Sequence, residues 1–426
     1  MKNTFTNIVD KFGELAVKFS SIPIIKAVSN GIMMATPFIM VGSIFTLLNN
    51  IPWDPYIQFL TDTKIADIFN TANRFTMGII ALIVSFTVAY QHVKDKKAEA
   101  VAAGIVSACT FLILVPTVVL ESGNVTVDIG ALGSSNLFTA IIVALLAGTL
   151  FNFLVQKGFV IKLPASVPPS TMSAFTSLIP AFIVIITFAI INFLFQMTSF
   201  GSFPNMVTTL IQTPLLGLGG TVWAIVIFYL LSNAVWFAGI HGNVVMSVVA
   251  PVLLALDMEN VAMVEAGKAA TNIVGQNFAN VYAGMSGAGI TIGLAILMAF
   301  VAKSERYKTV GRISVVPGVF CINEPVVFGT PIMFNVTMII PFICLPIISI
   351  FLAYGLTSLG VLPVLSGVQL PWSTPCVLLG FLLGGWKVAA YQIFLILLSV
   401  AVYYPFFKRL DKVAYKEEHT DAMLNV

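Results

Sequence analysis

Apolar windows of about 20 residues, the length of helix that spans roughly 30 Å of hydrocarbon, recur from one end of the chain to the other. Of the 426 residues, 58% are hydrophobic and only 9% are charged. A soluble domain carries about 25% charged residues, because its surface must be solvated. The sequence therefore predicts an all-α polytopic membrane protein.

The apolar windows and the polar breaks between them predict about ten transmembrane helices. The first five lie near 24–48, 75–92, 98–120, 136–155 and 173–198. The second five lie near 218–238, 244–257, 278–301, 332–356 and 386–407.

Ahead of the first span, residues 1–22 carry apolar side chains at helical spacing, with lysines elsewhere on the helical wheel. This pattern predicts an interfacial amphipathic helix that lies on the membrane. Basic residues also fix the expected orientation, since lysine and arginine concentrate in cytoplasmic loops. On the predicted spans, 17 of the 21 basic residues fall on one side, in the clusters 2–26, 94–97, 157–162, 303–312 and 408–416. We therefore expect both termini to be cytoplasmic.

Two apolar stretches in the second half of the chain, 313–331 and 359–385, are interrupted by prolines and glycines. Irregular backbone at membrane depth persists only where protein or a watery cavity satisfies its polar groups. We interpret both stretches as re-entrant hairpins. The residues 218–407 are then expected to form the solute transport half, 23–217 a scaffold or oligomer interface, and 408–426 a cytoplasmic tail.

Glu324 is the strongest candidate for a functional residue. It lies in the apolar run Val319–Phe328, and the charge that precedes it in the sequence is as far away as Arg312. A charge at bilayer depth costs roughly 2.5–3.5 kcal/mol on insertion scales, so it usually faces a cavity and serves a function. The structural alternative is a carboxylate that caps the N-terminus of a neighbouring helix.

A second group of candidates follows the predicted span 218–238. His241 lies between Gly239 and Gly242, which permit a broken helix that presents the imidazole to a cavity. Nearby are Trp236 and Asn243. The structural alternatives are a histidine at a helix end and a tryptophan in the interfacial belt.

These residue types suit a neutral sugar. An aromatic face packs against the C–H surface of a sugar, while carboxylate, imidazole and amide groups reach its hydroxyls. The predicted pocket residues are Glu324, His241, Trp236, Asn243, Asn323 and Trp372.

Other chemistries lack sequence support. The four cysteines are scattered through apolar runs without metal-ligand spacing, and no nucleotide-binding loop or nucleophile elbow is present. A net charge of +3 does not point to nucleic acid. We expect no metal, cofactor or nucleic-acid partner.

Four stretches, in this order along the chain, match a known family. They are Val160–Pro168, Trp236–Gly242, Ile322–Pro331 with its Asn-Glu-Pro sequence, and Pro371–Pro375. The chain resembles the membrane-embedded IIC component of the phosphoenolpyruvate-dependent sugar phosphotransferase system (PTS), in its lactose, cellobiose and N,N′-diacetylchitobiose branch.

The resemblance implies a multi-pass permease of the bacterial plasma membrane, with ten transmembrane helices and two re-entrant hairpins. It also implies a homodimer formed through the N-terminal half. The permease would deliver a β-linked disaccharide to the cytoplasmic face. A IIB protein, expected as a separate chain because the tail is short, would there phosphorylate the 6-hydroxyl from its own cysteine.

The resemblance also assigns residue roles. Glu324 and His241 would be catalytic ligands around the 6-hydroxyl, with Glu324 as the proton acceptor. None of the four cysteines would carry the phosphoryl group. The remaining candidates, Trp236, Asn243, Asn323 and Trp372, would line the pocket.

Two alternatives stay open at this point. A proton-coupled sugar symporter would use Glu324 and His241 as a proton relay. A membrane enzyme acting on lipid-linked sugar is disfavoured because the sequence shows neither a second buried carboxylate nor a metal cluster.

Overall fold

A computed structural model describes residues 22–49, 54–96, 98–120, 122–164, 167–237, 241–330, 332 and 335–424. The amphipathic helix predicted over 1–22 lies outside these ranges except for its last residue, so it stays a prediction. The chain forms two compact units, and the boundary between them follows Gly217. We call Ser21–Gly217 the N-terminal unit and Leu218–Val426 the C-terminal unit.

The N-terminal unit consists mainly of long apolar helices. Its α-helices are α1 (Pro23–Asn49), α2 (Asp54–Thr63), α3 (Ile65–Arg74), α4 (Ile80–Val93), α5 (Ala100–Leu114), α6 (Leu137–Gln156), α7 (Pro169–Gln196), α8 (Phe203–Val207) and α9 (Thr213–Gly219), which crosses the unit boundary. Short 3₁₀ turns cover Met77–Ile79, Ile129–Leu132 and Ser134–Asn136, and a π-helical turn covers Thr208–Gln212.

Helix α4 is the centre of this unit and packs against α1, α5 and α6. Its contact with α1 is close because Gly31 faces the backbone of Val88, where an added Cβ would clash. Small residues at such crossings allow membrane helices to approach and gain van der Waals contact.

A β-hairpin corrects the span predicted near 98–120. Helix α5 ends at Leu114, and Val115 turns to an extended conformation ahead of Pro116, as residues before proline usually do. Strand β1 (Thr117–Val119) then pairs antiparallel with β2 (Val125–Val127). Both strands are rich in β-branched residues, which favour extended backbone.

The C-terminal unit consists of shorter and more interrupted helices. Its α-helices are α10 (Val222–Phe237), α11 (Asn243–Glu265), α12 (Gln276–Phe278), α13 (Ile292–Phe300), α14 (Glu305–Val319), α15 (Glu324–Gly329), α16 (Val336–Ser358) and α17 (Leu378–Leu424). A π-helical turn covers Ala279–Ala283, and a 3₁₀ turn covers Ala288–Ile290. Helix α17 is broken at Gly385, which has a positive φ of 72°.

Within the described ranges, seven helices are long and apolar enough to cross a membrane, or up to nine if each of two bent helix pairs is one span. Helix α5 is a further, shorter apolar helix. The all-α, multi-pass membrane class predicted from the sequence is confirmed. The number ten stays a prediction.

The two interrupted stretches are irregular in different ways. In the first, α14 already begins at Glu305, and only 320–323 separates it from α15. In the second, the chain between α16 and α17 runs without regular structure over 359–377. A re-entrant path through the membrane remains a prediction for both stretches.

The last helix includes most of the segment 408–426, whose location as a cytoplasmic tail stays a prediction. Helix α17 continues through 408–424 instead of ending with the span near 407. Asp411 on this extension accepts hydrogen bonds from the backbone N–H groups of Lys303 (2.8 Å) and Ser304 (3.0 Å). Glu418 accepts from the N–H groups of Glu305 and Arg306. The extension therefore caps the N-terminus of α14, the helix that leads to Glu324.

Candidate functional site

Glu324 is the first residue of α15, and the turn before it is anchored by Asn323. The Asn323 side chain is buried, and its Nδ2 donates to the Ala288 carbonyl (2.7 Å) and to Thr291 Oγ1 (3.1 Å). Gly287, with a φ of 84°, allows this approach, since an added Cβ there would clash with the Asn323 side chain. Asn323 therefore positions Glu324, and its amide donors are already used within the protein.

The Glu324 carboxylate itself remains accessible, with 46% of the side chain exposed. Within the described ranges, His241 is the only basic side chain within 4.0 Å of it. The N-termini of α14 and α16 are capped by other residues, namely Asp411, Glu418 and Asn335. The structure therefore gives Glu324 an open position opposite a histidine, as a functional carboxylate requires.

His241 lies just before α11 and is 50% exposed. The backbone N–H of Asn243 donates to its Nδ1 over 3.2 Å. Because Nδ1 accepts this bond, the neutral imidazole carries its proton on Nε2. Nε2 lies 3.9 Å from Glu324 Oε1. This distance is too long for a direct hydrogen bond, and it leaves an N–H donor facing a carboxylate across a short gap.

The indole of Trp236 packs against the imidazole of His241. The indole is buried, and its ring centroid lies 4.3 Å from that of His241. Gly242 lies against Trp236 and Ser232 so closely that an added Cβ would clash with both, and Ser232 Oγ donates to the Gly242 carbonyl over 3.2 Å. Trp236, predicted as a surface for the sugar, is thus placed to orient His241. The side chain of Asn243, by contrast, is exposed.

Trp372 lies on the second irregular segment and is 60% exposed. Its turn is closed by a hydrogen bond from the Thr374 N–H to the Pro371 carbonyl (2.9 Å). A short distance further on, the N–H of Cys376 donates to the carbonyl of Val319, the last residue of α14 (2.7 Å). The segment that carries Trp372 is therefore joined to the turn that carries Glu324.

Two buried side chains in this unit were not predicted from the sequence. Gln392 on α17 accepts from the N–H groups of Val377 and Gly380, and it donates to the Val281 carbonyl. Asp257 on α11 is 2% exposed, so the expectation that the sequence has no second buried carboxylate is wrong. The sequence did contain a signal for Asp257, namely a charge at the end of the apolar window 244–257.

The site can bind and deprotonate a hydroxyl group. A hydroxyl oxygen beside the pair, at the apex of a triangle, can lie about 2.8 Å from both His241 Nε2 and Glu324 Oε1, which are 3.9 Å apart. It would accept a hydrogen bond from the imidazole and donate its own to the carboxylate, which can act as a general base. Among the described residues, no three His, Cys, Asp or Glu side chains are grouped closely enough to hold a metal ion.

Fold and site together define a multi-pass membrane protein whose C-terminal unit holds a half-exposed carboxylate–imidazole pair. The chain belongs to the EIIC family of the phosphotransferase system, because the model of the family described as "Phosphotransferase system, EIIC" matches residues 29–346.

Individual relatives agree with this assignment. The chain is 33% identical to the PTS system cellobiose-specific EIIC component of Geobacillus stearothermophilus, over 98% of this chain and 96% of the relative. It is 31% identical to the oligo-beta-mannoside-specific EIIC component of Bacillus subtilis (strain 168), over 94% and 92%. A 30% identical relative, the lactose-specific EIICB component of Staphylococcus epidermidis, is matched over 92% of this chain and 68% of its own length.

A solved structure has the same fold. ChbC, the IIC component from the N,N′-diacetylchitobiose-specific phosphotransferase system, superimposes with a TM-score of 0.90 at 33% identity. The match covers 95% of this chain and 98% of ChbC. These comparisons give no support to the proton-coupled symporter.

Proposed function

We propose that this chain binds a β-linked disaccharide of the cellobiose or N,N′-diacetylchitobiose class, moves it inward and presents its 6-hydroxyl for phosphorylation by a separate IIB protein. The observation that carries the proposal is the half-exposed Glu324–His241 pair, whose facing atoms lie 3.9 Å apart, close enough for one hydroxyl oxygen beside them to reach both. The cellobiose-specific relative and the diacetylchitobiose-specific ChbC support the substrate class.

In this proposal His241 and Glu324 have different roles. The His241 Nε2–H donates to the oxygen of the 6-hydroxyl and holds it in place. Glu324 accepts the proton as that oxygen bonds to phosphorus. The phosphorus–sulfur bond of the IIB phosphocysteine breaks at the same time, and the sulfur leaves as a thiolate. Positioning and proton removal are the contributions a protein makes to phosphoryl transfer.

The other candidates act around this pair. Trp372 is the exposed aromatic surface against which a sugar ring can pack, and Asn243 offers an exposed amide. Trp236 and Asn323 are buried and hydrogen-bonded or stacked within the protein, so in this proposal they orient His241 and Glu324 rather than contact sugar.

The IIB protein would approach from the cytoplasmic face, in a bacterial plasma membrane with both chain termini on that side. The basic clusters support this orientation. In the described residues, the exposed side chains of Lys303, Arg306, Lys408 and Lys412 lie where α17 caps α14. Formation of a homodimer through the N-terminal half is part of the proposal and rests on the family resemblance.

Uptake of radiolabelled cellobiose and N,N′-diacetylchitobiose by intact bacteria tests this function. We expect the label to accumulate as a phosphate ester. Uptake should require the IIB protein and should persist when a protonophore collapses the proton gradient while phosphoenolpyruvate remains available. Free sugar that accumulates without IIB and leaves the cell when the gradient collapses would instead favour the symporter.

A further inference from the structure

Two cysteines from distant parts of the sequence lie in contact beside the candidate site. The Sγ atoms of Cys321 and Cys376, 55 residues apart in the chain, are separated by 3.6 Å, and both thiols are free. We propose that they form a redox-active dithiol, and that its oxidation to a disulfide links the Glu324 turn to the Trp372 segment and stops sugar transport.

The backbone around the two sulfurs already holds them together. The Cys376 N–H donates to the Val319 carbonyl, and Cys376 Sγ lies 3.8 Å from the Gly318 carbonyl. From the other side, Cys321 Sγ lies 3.9 Å from the Thr374 carbonyl. A disulfide has a sulfur–sulfur distance of about 2.05 Å, so the sulfurs need to approach by about 1.5 Å.

The backbone at Cys321 has an unusual conformation. Its φ is 62°, the left-handed region that side chains other than glycine seldom occupy. Such conformations persist where the surroundings fix them and are concentrated at functional sites. The turn that presents Glu324 thus also directs the Cys321 thiol towards the other segment.

The two thiols differ in accessibility, which suits a stepwise oxidation. Cys321 is partly exposed, whereas Cys376 is buried. A peroxide would first convert the Cys321 thiolate to a sulfenic acid. Attack by the Cys376 sulfur would then form the disulfide and release water, so that two thiols and hydrogen peroxide give one disulfide and two molecules of water. A dithiol reductant reverses the link by exchange.

The consequence for transport rests on the proposed function. Cys321 lies three residues before Glu324, and Cys376 lies four residues after Trp372. A permease must rearrange around its site between the two faces of the membrane. A covalent link between these segments would prevent their relative movement, while the reduced pair would leave it free.

The first measurement is chemical. The purified protein would be treated with hydrogen peroxide and digested, and the peptides analysed by mass spectrometry. A peptide pair joined through Cys321 and Cys376, and separated by dithiothreitol, is expected. Absence of this linked pair would overturn the proposal. Cys321→Ser and Cys376→Ser should both abolish the link, whereas Cys109→Ser and Cys344→Ser, which change exposed cysteines, should keep it.

The second measurement is sugar uptake by vesicles that carry the Cys109→Ser/Cys344→Ser permease. The vesicles are treated with peroxide and freed of it before phosphorylated IIB is added, so that the cysteine of IIB is not oxidised. Peroxide should abolish uptake, dithiothreitol should restore it, and a further Cys321→Ala substitution should make uptake resistant to peroxide. Full uptake by protein shown to be linked would overturn the transport claim. Uptake that leaves the sugar unphosphorylated would contradict the proposed function instead, and the linked peptide would still report on the dithiol.

Discussion

Glu324 and Asp257 are acidic side chains in largely apolar segments of the same unit, yet their surroundings are opposite. Asp257 is almost completely buried, and its Oδ2 accepts from the backbone N–H of Asn277 and from Gln369 Nε2, both at 2.7 Å. Glu324 is nearly half exposed, and its partner His241 stands 3.9 Å away. One carboxylate accepts two hydrogen bonds from the protein, and the other is exposed to solvent with its histidine partner beyond hydrogen-bond distance.

We infer that this difference separates a structural acid, Asp257, from the carboxylate proposed to act as base, Glu324. Asp257 joins α11 to the chain before α12 and to the second irregular segment, through donors that lie 20 and 112 residues away in the sequence. Gly275 and Gly367 both face Asp257 so closely that an added Cβ would clash with it. In this unit, an acidic residue in an apolar segment does not by itself indicate a functional site, and the hydrogen-bonding capacity that the fold leaves unused distinguishes Glu324 from Asp257.

The largest expected effect is on the rate of phosphorylation and follows from replacing Glu324. Glu324→Gln keeps the size of the side chain and its ability to hydrogen-bond, but removes the base. Phosphorylation of the sugar should fall by about 10²–10⁴-fold, the usual contribution of a general base, while binding falls much less. Vectorial phosphorylation in vesicles and sugar affinity in detergent measure the two effects. Glu417→Gln, at an exposed position on α17, is the matched control.

A near wild-type rate of phosphorylation in Glu324→Gln, with the control unchanged, would contradict the role of Glu324 as base. The comparison with Asp257 would then fail, because both carboxylates would be structural.

Removal of the Asp257 carboxylate should lower the stability of the fold and leave sugar binding largely unchanged. Asp257→Ala deprives the Asn277 N–H and Gln369 of a buried acceptor, which costs about 1–3 kcal/mol for a group left unsatisfied. Thermal unfolding in detergent should show a lower midpoint, with sugar affinity at low temperature largely kept. Asp62→Ala, at an exposed position on α2, should leave the midpoint unchanged. Lost affinity without lost stability would instead place Asp257 in the sugar pocket.

Replacement of His241, which faces Glu324, is expected to have an intermediate effect on phosphorylation and on sugar affinity. His241→Ala removes the donor that holds the hydroxyl, while Glu324 remains as base. Loss of one hydrogen bond of about 1.4 kcal/mol corresponds to a tenfold change, so phosphorylation and affinity should both fall by about tenfold. The exposed His419 on α17 provides the control substitution His419→Ala. Unchanged affinity in His241→Ala would contradict a direct contact with the sugar.

Much of this site could be predicted from local sequence. Glu324 is the only charge in a long apolar stretch, and glycines beside His241 indicated a break in a helix. The structure places the two side chains opposite each other. The same local reasoning predicted the all-α membrane class, because apolar length and low charge are properties of each window taken alone.

What the sequence did not predict depends on contacts between distant residues. The four cysteines are scattered through apolar runs of the sequence, and nothing local indicates that Cys321 meets Cys376. The span predicted near 244–257 stops at Asp257, whereas α11 continues to Glu265 because donors from other segments satisfy the Asp257 carboxylate. Trp236 was expected at a sugar surface, and its burial follows from the close approach of Gly242.

The smallest expected effect is on sugar affinity and follows from replacing Trp372, the exposed tryptophan on the segment joined to the end of α14. Trp372→Ala removes apolar contact with the sugar but leaves Glu324, His241 and the backbone hydrogen bonds of the segment in place. Because the indole is already mostly exposed, stability should not change. Sugar affinity should fall by about threefold to tenfold, equivalent to roughly 0.7–1.4 kcal/mol, with the rate of phosphorylation at saturating sugar unchanged. Trp386→Ala is the matched control, since Trp386 is an exposed tryptophan next to the break at Gly385. If both variants bind sugar as the wild type does, Trp372 is an interfacial belt residue, and the ligand surface is limited to the half-exposed pair.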